Sequence, residues 1–315
     1  MKFEKKGLIF CPNGEEEWMQ NSFMTPVPIL IEGSNSSKDK IRIFGGIRDK
    51  DGVSRIGFID VKASNPSEII YVHKKPILDI GEKGCFDDNG VVPIASINVD
   101  EKFYLYYIGF QLGVQIPYYM FCGLSISDDN LSFKRYSKVP ILDRSDHDLY
   151  ARCGCHVLKD EDSYKIYYIG SLDDGWIKDS NNKLLPSYTM KISKSIDGIA
   201  WDNLEVKSCL NFKNKYEHGF GRPFVWKNKN KYKMLYSIRS LDLGYSIGYG
   251  ESNNGIDWER MDEKMKGLEK SSCGWDNEMV CYPNIFSYKE KIYCFYNGNG
   301  MGKTGVGYAE IISGF

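Results

Sequence analysis

The chain has 315 residues, 42% of them apolar, and a net charge of −1 from 41 Lys and Arg against 42 Asp and Glu. That length holds one large β domain or two ordinary ones, and the balanced charge argues against a nucleic-acid or anionic-membrane partner gripped through a bulk basic surface. No apolar run reaches the length of a membrane span, and the 22 Tyr weight the composition toward strands.

Met1 to Pro12 holds a short apolar stretch, Gly7 to Cys11, and no signal-peptide core. The nine cysteines form an odd set without metal-ligand spacing; Cys153-Gly-Cys155 reads as alternation along a strand. Thiols in a chain without an export signal point to the reducing cytoplasm. No cofactor and no metal is expected.

From there one aromatic strand pattern recurs. It reads Ile41-Arg-Ile-Phe-Gly-Gly, Phe103-Tyr-Leu-Tyr-Tyr-Ile-Gly, Tyr164-Lys-Ile-Tyr-Tyr-Ile-Gly, Tyr232-Lys-Met-Leu-Tyr-Ser and Ile292-Tyr-Cys-Phe-Tyr-Asn-Gly. An apolar strand precedes each copy: Val27 to Ile31, Val91 to Ile97, Cys153 to Leu158, Pro223 to Trp226 and Tyr282 to Phe286. A third strand follows each, opening at Arg55, Phe121, Tyr188, Tyr245 and Gly305. Three of these lead into one turn, Ser127 to Phe133, Ser195 to Trp201 and Ser252 to Trp258, in which Asp, Asn and Gly make the hairpin and the aromatic opens a fourth strand.

Repetition at this period predicts an all-β, five-bladed β-propeller of four-stranded antiparallel blades over residues 1–315, one domain. The last blade lacks an outer strand, and Gly7 to Cys11 can supply it and close the ring. A β-sandwich with chance repeats is the competing reading, and five matched units argue against it.

Propeller topology sorts the polar residues by face. The Asp-Gly-aromatic turns join strands three and four, so Asp197 and Asp257 form turns. The opposite face collects Asp87-Asp88, His147-Asp148 through Arg152, Glu217-His218 through Arg222, and Asp276-Asn277-Glu278 before Tyr282. The loops between strands two and three add Arg48-Asp49, Gln111, Asp173-Asp174, Trp176, Arg239 and Asn297. Residues leading the innermost strands converge on one central funnel, the arrangement of a binding site. Several arginines there suit a carboxylate or phosphate, through paired hydrogen bonds. Trp176 and Tyr118-Tyr119 suit stacking on a pyranose face.

The motifs Phe86-Asp-Asp-Asn-Gly-Val-Val-Pro93, Tyr106-Tyr-Ile-Gly109, Gly221-Arg-Pro223, Gly274-Trp-Asp-Asn-Glu-Met279 and Cys281-Tyr-Pro283 carry a family resemblance. With them the chain resembles the five-bladed glycosidase-like propellers, the superfamily of arabinanases, β-fructosidases and mannoside phosphorylases. More narrowly it resembles the glycosylase-like proteins encoded with surface-polysaccharide biosynthesis genes. The resemblance implies a carbohydrate-active enzyme that cleaves or transfers a glycosyl group with carboxylates across the funnel. Asp88 and Glu278 are the first candidates for catalysis, with Asp49 the substitute on the first blade, whose entry Asn21-Ser-Phe-Met-Thr-Pro26 offers no acid.

The expected substrate is a small or oligomeric anionic sugar held by Arg48, Arg152, Arg222, Tyr282, Glu217, His218, Asp148, Trp176 and Asn297. Hydrolysis is the default chemistry. A glycosyltransferase or phosphorylase, and a non-catalytic sugar-binding propeller, are the alternatives. Each residue also has a plainer role: Asp88 as a turn cap, Glu278 as half of an ion pair, Arg152 and Arg222 as bridges between blades, Asp49 as partner of Arg55, and His218 as a hydrogen-bonded blade-entry residue or a metal ligand.

Overall fold

The computed structural model describes residues 1–160, 162–201 and 208–315, with nothing said of the side chains of Asp173 and Asp174. The chain is nearly all-β, and the strands run as consecutive antiparallel meanders. After β1 (Lys2–Phe10) come β2 (Asn21–Ile31), β3 (Lys40–Arg48), β4 (Ser54–Lys62) and β5 (Asn65–Val72), one four-stranded sheet. Next are β6 (Val91–Val99), β7 (Lys102–Leu112), β8 (Tyr118–Ser127) and the two-residue β9 (Lys134–Arg135). Then follow β10 (Ala151–Asp160), β11 (Ser163–Lys178) and β12 (Leu184–Ser195), and after them β13 (Glu217–Asn228), β14 (Lys231–Ser240), β15 (Gly244–Ser252) and β16 (Glu259–Arg260). The last meander is β17 (Cys281–Tyr288), β18 (Lys291–Asn297) and β19 (Val306–Ser313).

Short parallel pairings, β8 with β10 and β12 with β13, join the three middle meanders edge to edge. At the other end of the order β1 pairs antiparallel with β19, Glu4 opposite Glu310 and Phe10 opposite Val306. The first strands pack in sequence: β2 against β6, β6 against β10, β10 against β13, β13 against β17, and β17 back against β2. The fourth strand expected after Trp201 falls on residues 202–207 and lies outside the described residues.

Two hydrogen-bond devices explain the repeated Tyr-Tyr and Ser-x-Asp signals. In each of the three shared turns a carboxylate or amide oxygen gathers main-chain N–H groups. Asp129 Oδ1 accepts from Leu131 and Ser132, Asp197 Oδ1 from Ile199 and Ala200, and Asn254 Oδ1 from Ile256 and Asp257. The first Tyr of each pair then reaches the next meander: Tyr106 donates to Gly198 O and Tyr167 to Gly255 O. The second Tyr turns inward to a carboxylate 20 residues upstream, Tyr107 to Asp87 and Tyr168 to Asp148, and Tyr296, which follows Phe295, does the same to Asp276. Each of these carboxylates is almost fully buried and also faces a cation, Arg135, Lys191 or Lys5, at 2.7–2.8 Å. A buried charge is tolerable only in such company.

Every innermost strand also carries a β-bulge at the same place. The register slips between Met24 and Val27, Pro93 and Ala95, Cys153 and His156, Gly221 and Phe224, and Cys281 and Asn284. In four of these bulges a residue takes left-handed φ: Thr25 at 53°, Gly154 at 60°, Arg222 at 30° and Tyr282 at 56°. For a non-glycine residue this costs on the order of 1–3 kcal/mol and persists only where the surroundings enforce it. Proline follows three of them, at Pro26, Pro223 and Pro283, as expected where a strand cannot donate to its ladder.

Candidate functional site

The bulges surround a cavity of about 410 Å³, and Thr25, Ile94, Gly154, Arg222 and Tyr282 all line it. Bulges beside a site re-aim side chains that a regular strand would send into the sheet. The remaining polar lining comes from Arg48 at the end of β3, Arg239 at the end of β14, Asn89, Ser54, Lys183 and the tyrosines 118, 188 and 245. Among the described residues no carboxylate lines it.

Arg222 forms the floor. Its guanidinium donates to the main-chain carbonyls of Ile94, Tyr282 and Pro26 at 2.6–3.2 Å, tying three meanders together at the centre. It is 3% exposed, and burial brings its pKa down to about 9, so it stays charged at neutral pH. Arg239 is held between two rings, 4.8 Å from the centroid of Tyr188 and 5.4 Å from that of Tyr245, and donates to Pro186 O. Its Nε is buried with no acceptor among the described residues, and the same is true of Arg48. None of Arg48, Arg222 and Arg239 forms an ion pair with a described carboxylate. Burial raises the phenol pKa values of Tyr118 and Tyr188, against the pull of Arg239, so both rings are neutral donors.

Arg48, Arg222 and Tyr282 are thus brought together as the sequence suggests. The other expected binding residues are not, for reasons visible in their partners. Arg152 turns away from the cavity toward Asp148 and the ring of Tyr168, and donates to Asp143 O. Asp148 is the carboxylate of the third meander's buried cluster; burial holds its pKa above the usual range while Lys191 pulls it down. Glu217 forms a two-pronged pair with Arg260 at 2.6 and 3.1 Å. Asn297 is fully buried, its amide donating to Phe23 O and Gly305 O and its oxygen accepting from Thr25 N–H. Trp176 stands behind the lining, its ring edge-on to Tyr118 at 5.6 Å. His218 is buried near Arg239 and off the lining; burial, then that cation, lower its pKa to about 4, so it is neutral. Among the described residues no three His, Cys, Asp or Glu side chains cluster to hold a metal.

The expected catalytic carboxylates stand outside the lining. Asp49 closes the 49–53 turn by accepting from the N–H groups of Asp51 and Val53, and pairs with Arg55 at 2.7 Å. That pairing, the plainer of its two roles, holds its pKa low against the cost of burial. Asp88 accepts from Gly84 N–H at 2.9 Å and is the neighbour of Asn89 on the mouth. Glu278 is exposed, and its backbone N–H is held by Asn299 Oδ1. It precedes Met279, whose sulfur meets the N–H of Met301, a lining residue. The side chains of Asp173 and Asp174 lie outside the described residues.

Arg239 carries more of this site than sequence reasoning allots to it, and Tyr188 and Tyr245 go unassigned there. Their common signal is position, since both tyrosines lie in the first half of the third strand of their meander, β12 or β15.

No family model matches the sequence. It is 29% identical over 311 residues, 99% of each chain, to the uncharacterized protein Rv1502 of Mycobacterium tuberculosis (strain ATCC 25618 / H37Rv). The fold is similar to that of solved glycoside hydrolases. One is a glycosyl hydrolase from Bacteroides ovatus, with TM-score 0.71 and 14% identity over 98% of this chain and 93% of the other. A second belongs to work on the GH130 family of mannoside phosphorylases, which contains glycoside hydrolases that target β-1,2-mannosidic linkages in Candida mannan, with TM-score 0.69 and 15% identity over 98% and 93%. A third, the GH32 β-fructofuranosidase BmSUC1 of Bombyx mori, has TM-score 0.59 and 15% identity over 92% of this chain and 61% of its own. At these identities the likeness is one of fold, and the architecture is that of the propeller glycoside hydrolases.

Proposed function

We propose that the chain is a five-bladed propeller that takes an anionic or phosphate-bearing sugar in its central cavity and cleaves or transfers its glycosyl group. Support for the ring comes from the packing of each first strand on the next and from the β1–β19 pairing. The observation that carries the ligand reading is charge: Arg48, Arg222 and Arg239 face a cavity whose described lining offers no carboxylate. Unpaired guanidinium in a low-dielectric site is costly, and a bound carboxylate or phosphate relieves that cost with charge-assisted hydrogen bonds.

A facing pair of carboxylates roughly 5–10 Å apart is the usual requirement for glycoside hydrolysis. Here Asp88 and Glu278 are the candidates, acting from the rim on a glycosidic oxygen near the mouth. A phosphate-dependent transfer asks less, since a bound phosphate supplies the nucleophile and one acid suffices. Binding without turnover is the second reading, favoured by the same absence of lining carboxylates. Sharing of the fold with glycoside hydrolases and the mannoside phosphorylase family supports an enzyme. Work in surface-polysaccharide metabolism, inside the cytoplasm, completes the proposal, and the nine free thiols fit that compartment.

The test is a thermal-shift screen of uronates, sugar phosphates, nucleotide-sugars and neutral oligosaccharides on wild type, Arg239→Gln and Asp88→Asn. Ligand at 100 times its Kd stabilises by about 2.7 kcal/mol. The expected result is a shift from the anionic sugars alone, lost in Arg239→Gln and kept in Asp88→Asn, with Asp88→Asn losing turnover. A shift from neutral oligosaccharides alone, equal in all three proteins, would sink the reading.

A further inference from the structure

The cavity lining carries two kinds of side chain. Its arginines come from β3, β13 and β14. A largely apolar stretch, from β7, β8 and the start of β12, presents Ile108, Phe110, Leu112, Met120, Leu184 and Leu185, with Tyr118 as its one phenol. Those six side chains have no hydrogen-bonding group, whereas a sugar ring carries hydroxyls on most of its rim and loses affinity wherever they are buried unpaired. The outer end of that stretch is open to solvent: Leu112, the last residue of β7, is 63% exposed and Val114, two residues on, 99% exposed. Lys183, exposed in the turn between β11 and β12, is the one described cation of the lining besides the three arginines.

We propose that the cavity takes an amphiphilic ligand, an anionic sugar joined to an apolar aglycone, with the charge on Arg239 and Arg48 and the aglycone along the β7–β8 wall toward Leu112. This rests on the anionic-sugar reading above and adds the aglycone to it. A chain on that wall replaces water with apolar contact, and two buried methylenes already amount to about tenfold in affinity.

The experiment is titration calorimetry with three probes: octyl β-D-glucuronide below its critical micelle concentration, glucuronic acid, and octyl β-D-glucoside. The proteins are wild type, Arg239→Gln, and a Leu112→Asn/Leu184→Asn double variant. Leu112 is exposed and Leu184 half-buried, and melting curves verify that each variant is folded. The expected result is octyl glucuronide binding at least about tenfold more tightly than either other probe. Its advantage over octyl glucoside should vanish in Arg239→Gln, and its advantage over glucuronic acid in the double variant. Equal binding of glucuronic acid and octyl glucuronide to wild type overturns the aglycone and leaves the anionic reading standing. Equal binding of octyl glucoside and octyl glucuronide overturns the anionic reading while the wall stands. No binding by any probe at millimolar concentration overturns both.

Discussion

Two sets of buried charge in this molecule follow opposite rules. Around the sheets each cation has a carboxylate and each carboxylate a tyrosine: Asp87 with Arg135 and Tyr107, Asp148 with Lys191 and Tyr168, Asp276 with Lys5 and Tyr296. At the centre Arg222 has three main-chain carbonyls, Arg239 one carbonyl and two rings, and none of Arg48, Arg222 and Arg239 a carboxylate among the described residues. The outer clusters pair each charge within the chain, whereas the Nε atoms of Arg48 and Arg239 have no acceptor among the described residues. Burial and charge are common to both sets; the difference lies in the partners.

Replacement is the most direct way to break that contrast. Asp148→Ala, which strips Lys191 of its partner, should cost about 3–5 kcal/mol in urea unfolding, the usual penalty for orphaning a buried charge. A loss under about 1 kcal/mol would mean that the cluster is solvated and the contrast false. A pH titration of stability comes next. His218 has a folded pKa of about 4 against 6.5 unfolded, so the unfolded chain binds its proton first as pH falls. Stability is then full above pH 6.5 and falls toward pH 4, by about 1.4 kcal/mol per unit at most for this group. His218→Gln should flatten that part of the profile, and an unchanged slope would remove the histidine from the explanation.

Smaller effects sharpen the comparison. Tyr107→Phe deletes one buried hydroxyl and should cost about 1–2 kcal/mol, leaving the turn contact made by Tyr106 intact. Smallest is Arg239→Gln, expected to change stability in the absence of ligand by less than about 1 kcal/mol, because no carboxylate is left unpaired. Destabilisation as large as that of Asp148→Ala would make Arg239 one more structural charge.

How far the sequence reaches follows from what repeats in it. The strand order and the Ser-x-Asp turns are local patterns copied along the chain, and each copy supports the others; the closing strand, expected over Gly7 to Cys11, runs instead over Lys2–Phe10. The polar residues before the innermost strands are also copied, and that repetition is what misleads. Asp148 and Asp276 occupy the place of Asp87 in their own meanders, each 20 residues ahead of a tyrosine, which marks them as structural. A residue that recurs in three meanders with the same tyrosine partner serves the meander. The cavity instead departs from the repeat: Arg222 and Tyr282 stand where other meanders have Thr25 and Gly154. Their left-handed conformation is signalled only by a proline within a strand, and the choice of which side chain enters the cavity depends on packing between meanders that no local pattern contains.

The strand that completes the last sheet lies some three hundred residues before its partner. During synthesis β1 has no paired neighbour until Val306–Ser313 has emerged. The nascent protein therefore carries an unmatched strand while the intervening sheets are made, with an open edge that invites other chains. The cavity is set among the first strands of the meanders, and neither β1 nor β19 contributes a residue to its described lining. Removal of β1 should therefore open the edge of the last sheet while leaving the sheets of the middle meanders in place.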